Sequence, residues 1–193
     1  IDSILNGLQR MVGGGAATAP KVTYDLTAPA TFAPVRPAIK GRWTIPEPTG
    51  ALMLDTRRLV VEPSGEHPAF DDAQWADNIP KLLQEKLIES FENFDLSHAP
   101  LRVSDEPADY QLLIGLRRFQ VTLAPAATAE IAFSARLVAR DGRVVASRLF
   151  QGSQALTTPD AAAAATAFDT AFQGLARSVV EWMAQASEGG GKG

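Results

Sequence analysis

Three aspartates, Asp71, Asp72 and Asp77, flank Trp75 in the stretch AFDDAQWADNIPKLLQEKL. Carboxylates this close could hold a cation or share a proton in acid–base chemistry. The spacing lacks the calcium-loop pattern D-x-[DN]-x-[DN]-G, and an apolar run of helical period follows directly. Asp71 and Asp72 therefore occupy positions favoured for helix N-caps, with Gln74 three residues after Asp71 in a box-like arrangement. Asn78 followed by Pro80 is a second start signal, because proline is tolerated in a first turn and not in an interior. These signals predict a short helical turn from about Ala73, a break near Asn78, and then the main helix. Trp75 is expected to be a core or lid residue over the helix entrance, with docking of a partner as its alternative role.

Other chemistry-bearing residues are sparse. His67 and His98 are the only histidines and stand in polar loop contexts far apart in the chain. No H-E-x-x-H, G-x-S-x-G or G-x-x-x-x-G-K-[ST] motif occurs, and GGGAATAP is no dinucleotide fingerprint because no strand precedes it. The residues assign no catalytic group, metal or cofactor. Two arginine pairs are more informative: Arg57-Arg58 and Arg117-Arg118 each interrupt an apolar strand pattern. Adjacent strand residues point to opposite faces, so each pair is expected to place one charge on the helix-covered side or at a sheet end. Such an arginine could snorkel at a sheet edge or pair with a helix carboxylate. It could also contact a partner or a lipid headgroup, which the planar fork of arginine suits.

The elements that must position these residues follow from pattern and composition. With 46% hydrophobic and 21% charged residues, the 193-residue chain can build a core, and its size suits one domain with tails. A net charge of -4 gives no footprint for nucleic acid. The absence of cysteine excludes disulfide and thiolate chemistry within this sequence. It begins at Ile1, consistent with a trimmed product. Residues 1–21 include a glycine-rich stretch expected to act as a flexible tether, residues 22–187 the folded domain, and residues 188–193 a frayed tail.

Strand patterns occur in VTYDL, RWTI, LMLDTRRLVVEP, YQLLIGLRRFQVTL, AEIAFSARLVAR and RVVASRLFQG. The last two flank Asp141-Gly142, a strong hairpin signal. Ile79, Leu83, Leu87 and Phe91 repeat at helical spacing, as do Phe168, Phe172, Leu175, Val179 and Trp182. Thr158 is expected as the N-cap of the second helix, with Pro159 at its first position and Asp160 at its positive end. The fold class is α+β: a two-layer sandwich of a mainly antiparallel sheet with two long helices on one face.

The segments YDL, LDTRRLVV, FDDAQWADNIPKLLQEKLIESFEN, LRRFQ and SRLFQG, between about Tyr24 and Trp182, resemble the ABC-type transport auxiliary lipoprotein family. That resemblance implies a non-enzymatic periplasmic protein of bacteria, tethered to the outer membrane through a lipidated cysteine upstream of this chain. It implies an MCE-type substrate-binding protein and an ABC transporter as partners in lipid transport, with phospholipid contact and homo-oligomerisation as further expectations. It also implies a fold similar to the N-terminal domain of TolB-like proteins. On this reading Arg57, Arg58, Arg117, Arg118 and Trp75 are the candidate docking residues. An alternative makes the domain a carrier of lipid, which would need an apolar cavity of several hundred cubic ångströms.

Overall fold

The computed structural model describes residues 20–34, 40–102 and 107–189, so the expected tether and tail fall almost wholly outside the described residues. In chain order the elements are β1 (Val22–Tyr24), β2 (Trp43–Thr44), β3 (Thr49–Gly50), β4 (Val60–Glu62), α1 (Pro68–Asp71), β5 (Ala73–Trp75), α2 (Ile79–Phe94), β6 (Tyr110–Thr122), β7 (Thr128–Ala139), β8 (Val144–Ala155) and α3 (Ala161–Gly189). Short 3-10 turns cover Leu52–Leu54 and Leu96–His98.

The long strands β6, β7 and β8 form an antiparallel meander. The β7–β8 hairpin forms where Asp141-Gly142 predicts it. The Ala139 amide donates to the Arg143 carbonyl at 2.9 Å, and Gly142 sits at φ +87°, a left-handed conformation that glycine adopts without a Cβ penalty.

The free side of β6 pairs in parallel with β2, β3 and β4 in succession, at Tyr110–Gln111, Gly115–Leu116 and Gln120–Thr122. The six-stranded sheet is therefore mixed, which modifies the expectation of a mainly antiparallel one. The reason lies in the connection: α2 and the segments around it lead from β4 back to β6, and such a crossover delivers a parallel neighbour.

Alternation along β6 and β7 buries Leu112, Ile114, Leu116, Phe119 and Val121 together with Ala129, Ile131, Phe133, Ala135 and Leu137. These side chains share one core with the inward residues of α2 and α3, so both helices cover the same face and the opposite face is open. In α2 the core stripe is Ile79, Leu82, Leu83, Leu87 and Phe91. In α3 the small residues Ala164, Ala167 and Ala176 are buried beside Phe168, Phe172 and Val179. Gly152 of β8 extends this close packing, since a Cβ there would lie 3.1 Å from Leu175 Cγ.

Three local expectations are corrected. Ala73–Trp75 is not a helical turn but a strand, paired in parallel with Val22–Tyr24 in a separate two-stranded sheet. The turn instead precedes it, at Pro68–Asp71, where Asp72 is a C-terminal residue rather than an N-cap. The Asp71 carboxylate does serve this turn, accepting from the His67 backbone amide at 3.2 Å. In LMLDTRRLVVEP only Val60–Glu62 is strand, while Leu52–Leu54 is a 3-10 turn and the arginines lie between. The cap of α3 is Asp160 rather than Thr158. Asp160 Oδ1 accepts from the Ala163 amide at 2.9 Å, and the Thr158 hydroxyl donates to Asp160 Oδ2 at 2.6 Å. Both bonds, the Thr158 one foremost, hold the Asp160 carboxyl below its ordinary value. The main helix does begin after Asn78, with Pro80 in its first turn, as predicted.

Candidate functional site on the open sheet face

Arg117 and Arg118 are both exposed on the open face in the middle of β6, which overturns the expectation of one charge on the helix-covered side or at a sheet end. A β-bulge explains it. The β6–β7 register slips between Leu116 and Arg118, so Leu116 faces Phe133, Arg118 faces Ala132, and Arg117 is the extra residue. An inserted residue shifts the alternation, allowing Leu116 and Phe119 to remain buried while both intervening charges face water. The opposite edge of β6 is interrupted at the same level: β3 ends beside Leu116 and β4 begins beside Gln120.

Arg136 of β7 is exposed on this face as well, opposite Leu113, which is itself 39% exposed. None of Arg117, Arg118 and Arg136 has a carboxylate partner among the described residues. Gly115 and Ser134 pair at the centre of the face, where a Cβ on Gly115 would come within 2.6 Å of the Ser134 hydroxyl.

Arg57 and Arg58 do not join them. Arg57 Nε donates to the Trp75 carbonyl at 3.0 Å, its Nη2 donates to that of Ala76 at 3.3 Å, and its own carbonyl accepts from the Trp75 amide at 2.6 Å. It thus secures the strand that carries Trp75. Arg58 bridges to Gln74 and approaches Asp71 at 4.0 Å. Trp75 is fully buried, edge-on to Phe119 at 5.3–5.4 Å from it and from Phe168, which stack at 4.8 Å on each other. Its indole has no exposed surface to offer a partner, and its Nε1 has no hydrogen-bond acceptor among the described residues.

In the helix layer several charges are paired. Arg102 donates to both carboxylate oxygens of Glu92 and to Glu85 at 2.7 Å, and these bonds raise its pKa further. Burial would lower the Lys86 pKa, but Asp25 and Glu89, both 3.3 Å away, outweigh it and the net shift is upward. Glu85 and Glu92 lie seven residues apart on one helix face, a spacing that the sequence displays. Their clamp, Arg102, carries no comparable pattern.

Asp71, Asp72 and Asp77 serve different local structures. The Asp77 carboxylate accepts from the Asn78 amide at 2.8 Å. No group of three histidine, aspartate or glutamate side chains among the described residues could hold a metal ion. A cleft of about 660 Å³ opens at one end of the sheet between Lys40, Asp109, Tyr110 and Arg140. It lies away from the interior between sheet and helices, where the rings of Trp75, Phe119 and Phe168 fill the space. No helix among the described residues is long and apolar enough to cross a membrane.

Among the described residues the sheet thus has one helix-covered face and one open face that carries Arg117, Arg118 and Arg136. The chain belongs to the ABC-type transport auxiliary lipoprotein component family, whose model matches residues 24–180. The uncharacterized protein bll6063 of Bradyrhizobium diazoefficiens is 49% identical over 183 residues, covering 94% of this chain and 50% of the relative. The chain thus spans about half the length of that curated relative. Protein XCC0632 from Xanthomonas campestris, of family DUF330, superposes with a TM-score of 0.78 at 29% identity, covering 89% of this chain and 99% of its own. An uncharacterized crystal structure gives a TM-score of 0.61 at 11% identity over 84% of this chain and 98% of its own, a likeness of fold alone.

Proposed function

We propose that this domain is a docking component of an MCE-type ABC lipid transport system, working in the periplasm from an outer-membrane anchor. Family membership supports the transport setting. The observation that carries the docking reading is the open sheet face, where a bulge turns Arg117 and Arg118 outward without carboxylate partners among the described residues. Bulges re-aim side chains, and unpaired arginines offer bidentate contacts to carboxylate or phosphate. The acidic side chains Glu85, Glu89 and Glu92 of the helix layer are engaged with Lys86 and Arg102, so the two layers present different surfaces. The carrier reading is less well supported, because aromatic rings fill the space that a lipid chain would need.

The test uses the purified domain and the MCE-type substrate-binding protein from the same organism. Arg117→Glu and Arg118→Glu are expected to weaken the complex at least about tenfold, since like charges across an interface repel. Thermal unfolding should be nearly unchanged. Undiminished binding by both charge-reversed proteins would remove these arginines from the interface. Native mass spectrometry addresses the carrier: stoichiometric lipid retained by the domain would favour carriage over docking.

A further inference from the structure

The two edges of the sheet are treated differently. Along β6, three short parallel segments pair with the edge at Tyr110–Gln111, Gly115–Leu116 and Gln120–Thr122. Along β8, a strand of twelve residues, the ladder to β7 occupies one side and no strand among the described residues occupies the other. Long free edges are usually protected by proline, lysine or an edge-twisting bulge. VVASRLFQGSQA contains neither proline nor lysine, and its one register irregularity lies at its start, beside Val138.

The ladder indicates which amides face outward. The Leu156 amide donates to the Ala127 carbonyl at 2.9 Å, and the register continues from Thr128–Ala155 to Leu137–Ala146. Alternation of hydrogen-bonded pairs then directs the N–H and C=O groups of Ser147, Leu149, Gln151 and Ser153 to the free edge.

Side chains along that edge specify what could lie there. On the helix-covered side, the Arg148 guanidinium lies over the Phe150 ring, 5.0 Å from its centroid, with no carboxylate partner among the described residues. Gly152 on the same side leaves the adjacent space small. On the open side, Leu149 is 58% exposed, and small Ser147 separates Arg136 from the edge. β8 carries no acidic residue. A strand laid along it would thus be favoured by carboxylates beside Arg148 and by apolar side chains beside Leu149.

We propose that β8 is a strand-addition site that takes an extended segment of a partner protein alternating acidic and apolar residues. The proposal rests on the docking reading above and narrows it to one edge. Main-chain hydrogen bonds supply the contact, and the two faces of the added strand read charge and hydrophobicity separately.

Two labelled ten-residue peptides test it by fluorescence anisotropy, one alternating valine with glutamate and one alternating valine with lysine. The glutamate peptide is expected to bind at least about tenfold more tightly at low salt, with the preference shrinking as salt screens it. Gln151→Pro removes an outward amide without removing a β7 ladder bond and should reduce binding at least about tenfold. Arg148→Glu leaves the backbone intact and should reverse the preference to the lysine peptide. Equal or absent binding of the two peptides, indifference to Gln151→Pro in a folded protein, or an unchanged preference in Arg148→Glu would overturn the proposal. Light scattering that showed a dimer abolished by Gln151→Pro would overturn it in favour of a second copy of this chain. Failure of the peptides while the transport partner remains sensitive to Arg117→Glu would leave docking standing and remove the edge.

Discussion

The two faces of one sheet are built from the same strands and the same alternation, yet they do different work. On the covered face, Leu112, Phe119, Phe133 and Ile131 are at most 1% exposed and meet the rings and alanines of the helices. On the open face, Leu113, Arg117, Arg118, Arg136 and Leu149 meet water. The same division separates the charges: Glu85, Glu89 and Glu92 of α2 pair with Lys86 and Arg102, while Arg117, Arg118 and Arg136 have no carboxylate partner among the described residues. Packing and exposed charge are therefore divided between opposite sides of a single layer, and substitutions on each should be felt in different measurements.

The largest test of that division lies at the aromatic cluster. Trp75→Ala or Phe119→Ala should lower the unfolding free energy by about 3–5 kcal/mol, since each removes a fully buried ring. Urea denaturation would measure it. A loss below about 1 kcal/mol would mean that the covered face does not hold the fold together.

A pair of glycines gives a sharper comparison. Gly152→Val places new carbons against Leu175 in the packed layer and should cost about 1–3 kcal/mol. Gly115→Ala, on the open face, meets only the Ser134 hydroxyl, which can rotate away, and should cost less than about 1 kcal/mol. Equal costs in urea denaturation would erase the distinction between faces.

Smaller still is the cap of α3. Asp160→Ala should lower Tm by roughly 2–4 °C at neutral pH, whereas Asp160→Asn, which can accept the same amide bond, should lose less. The Asp160 pKa is lowered in the folded state, so its contribution is present above the ordinary carboxylate range and lost as pH falls through the lowered value. Calorimetry of wild type and Asp160→Ala across that range should show their difference narrowing with acid. The smallest stability effect belongs to Arg117→Glu and Arg118→Glu, expected within about 0.5 kcal/mol, because both side chains are exposed and have no ion pair among the described residues.

Much of the fold was legible in the residues. The periods of Ile79–Phe94 and Thr128–Ala139, the Asp141-Gly142 turn and the Asn78–Pro80 helix start all depend on neighbours close in sequence. The candidate site was legible only in part. Arg117-Arg118 stood out as a doubled charge in an apolar pattern, but strict alternation assigned the two residues to opposite faces. A bulge is a relation between two strands, and β6 alone does not show where β7 gains or loses a residue. Arg57 stood out equally and proved to be a brace for the Trp75 strand. That β8 in particular lies at a free edge was not legible, because nothing local distinguishes an edge strand from an inner one.

By itself the sequence determined the long elements, the apolar faces they bury and the absence of cysteine chemistry from these residues, since period, turn chemistry and composition act over a few positions. Tertiary structure decided the rest. It made Ala73–Trp75 a strand, because pairing with Val22–Tyr24 outweighed local helix signals across some fifty residues of chain. It gave β6 parallel neighbours through a helical crossover, exposed both arginines through a register shift, and left β8 at the boundary of the sheet. Each of these outcomes depends on which segments meet, and that is settled by the packing of the whole chain rather than by any one stretch of it.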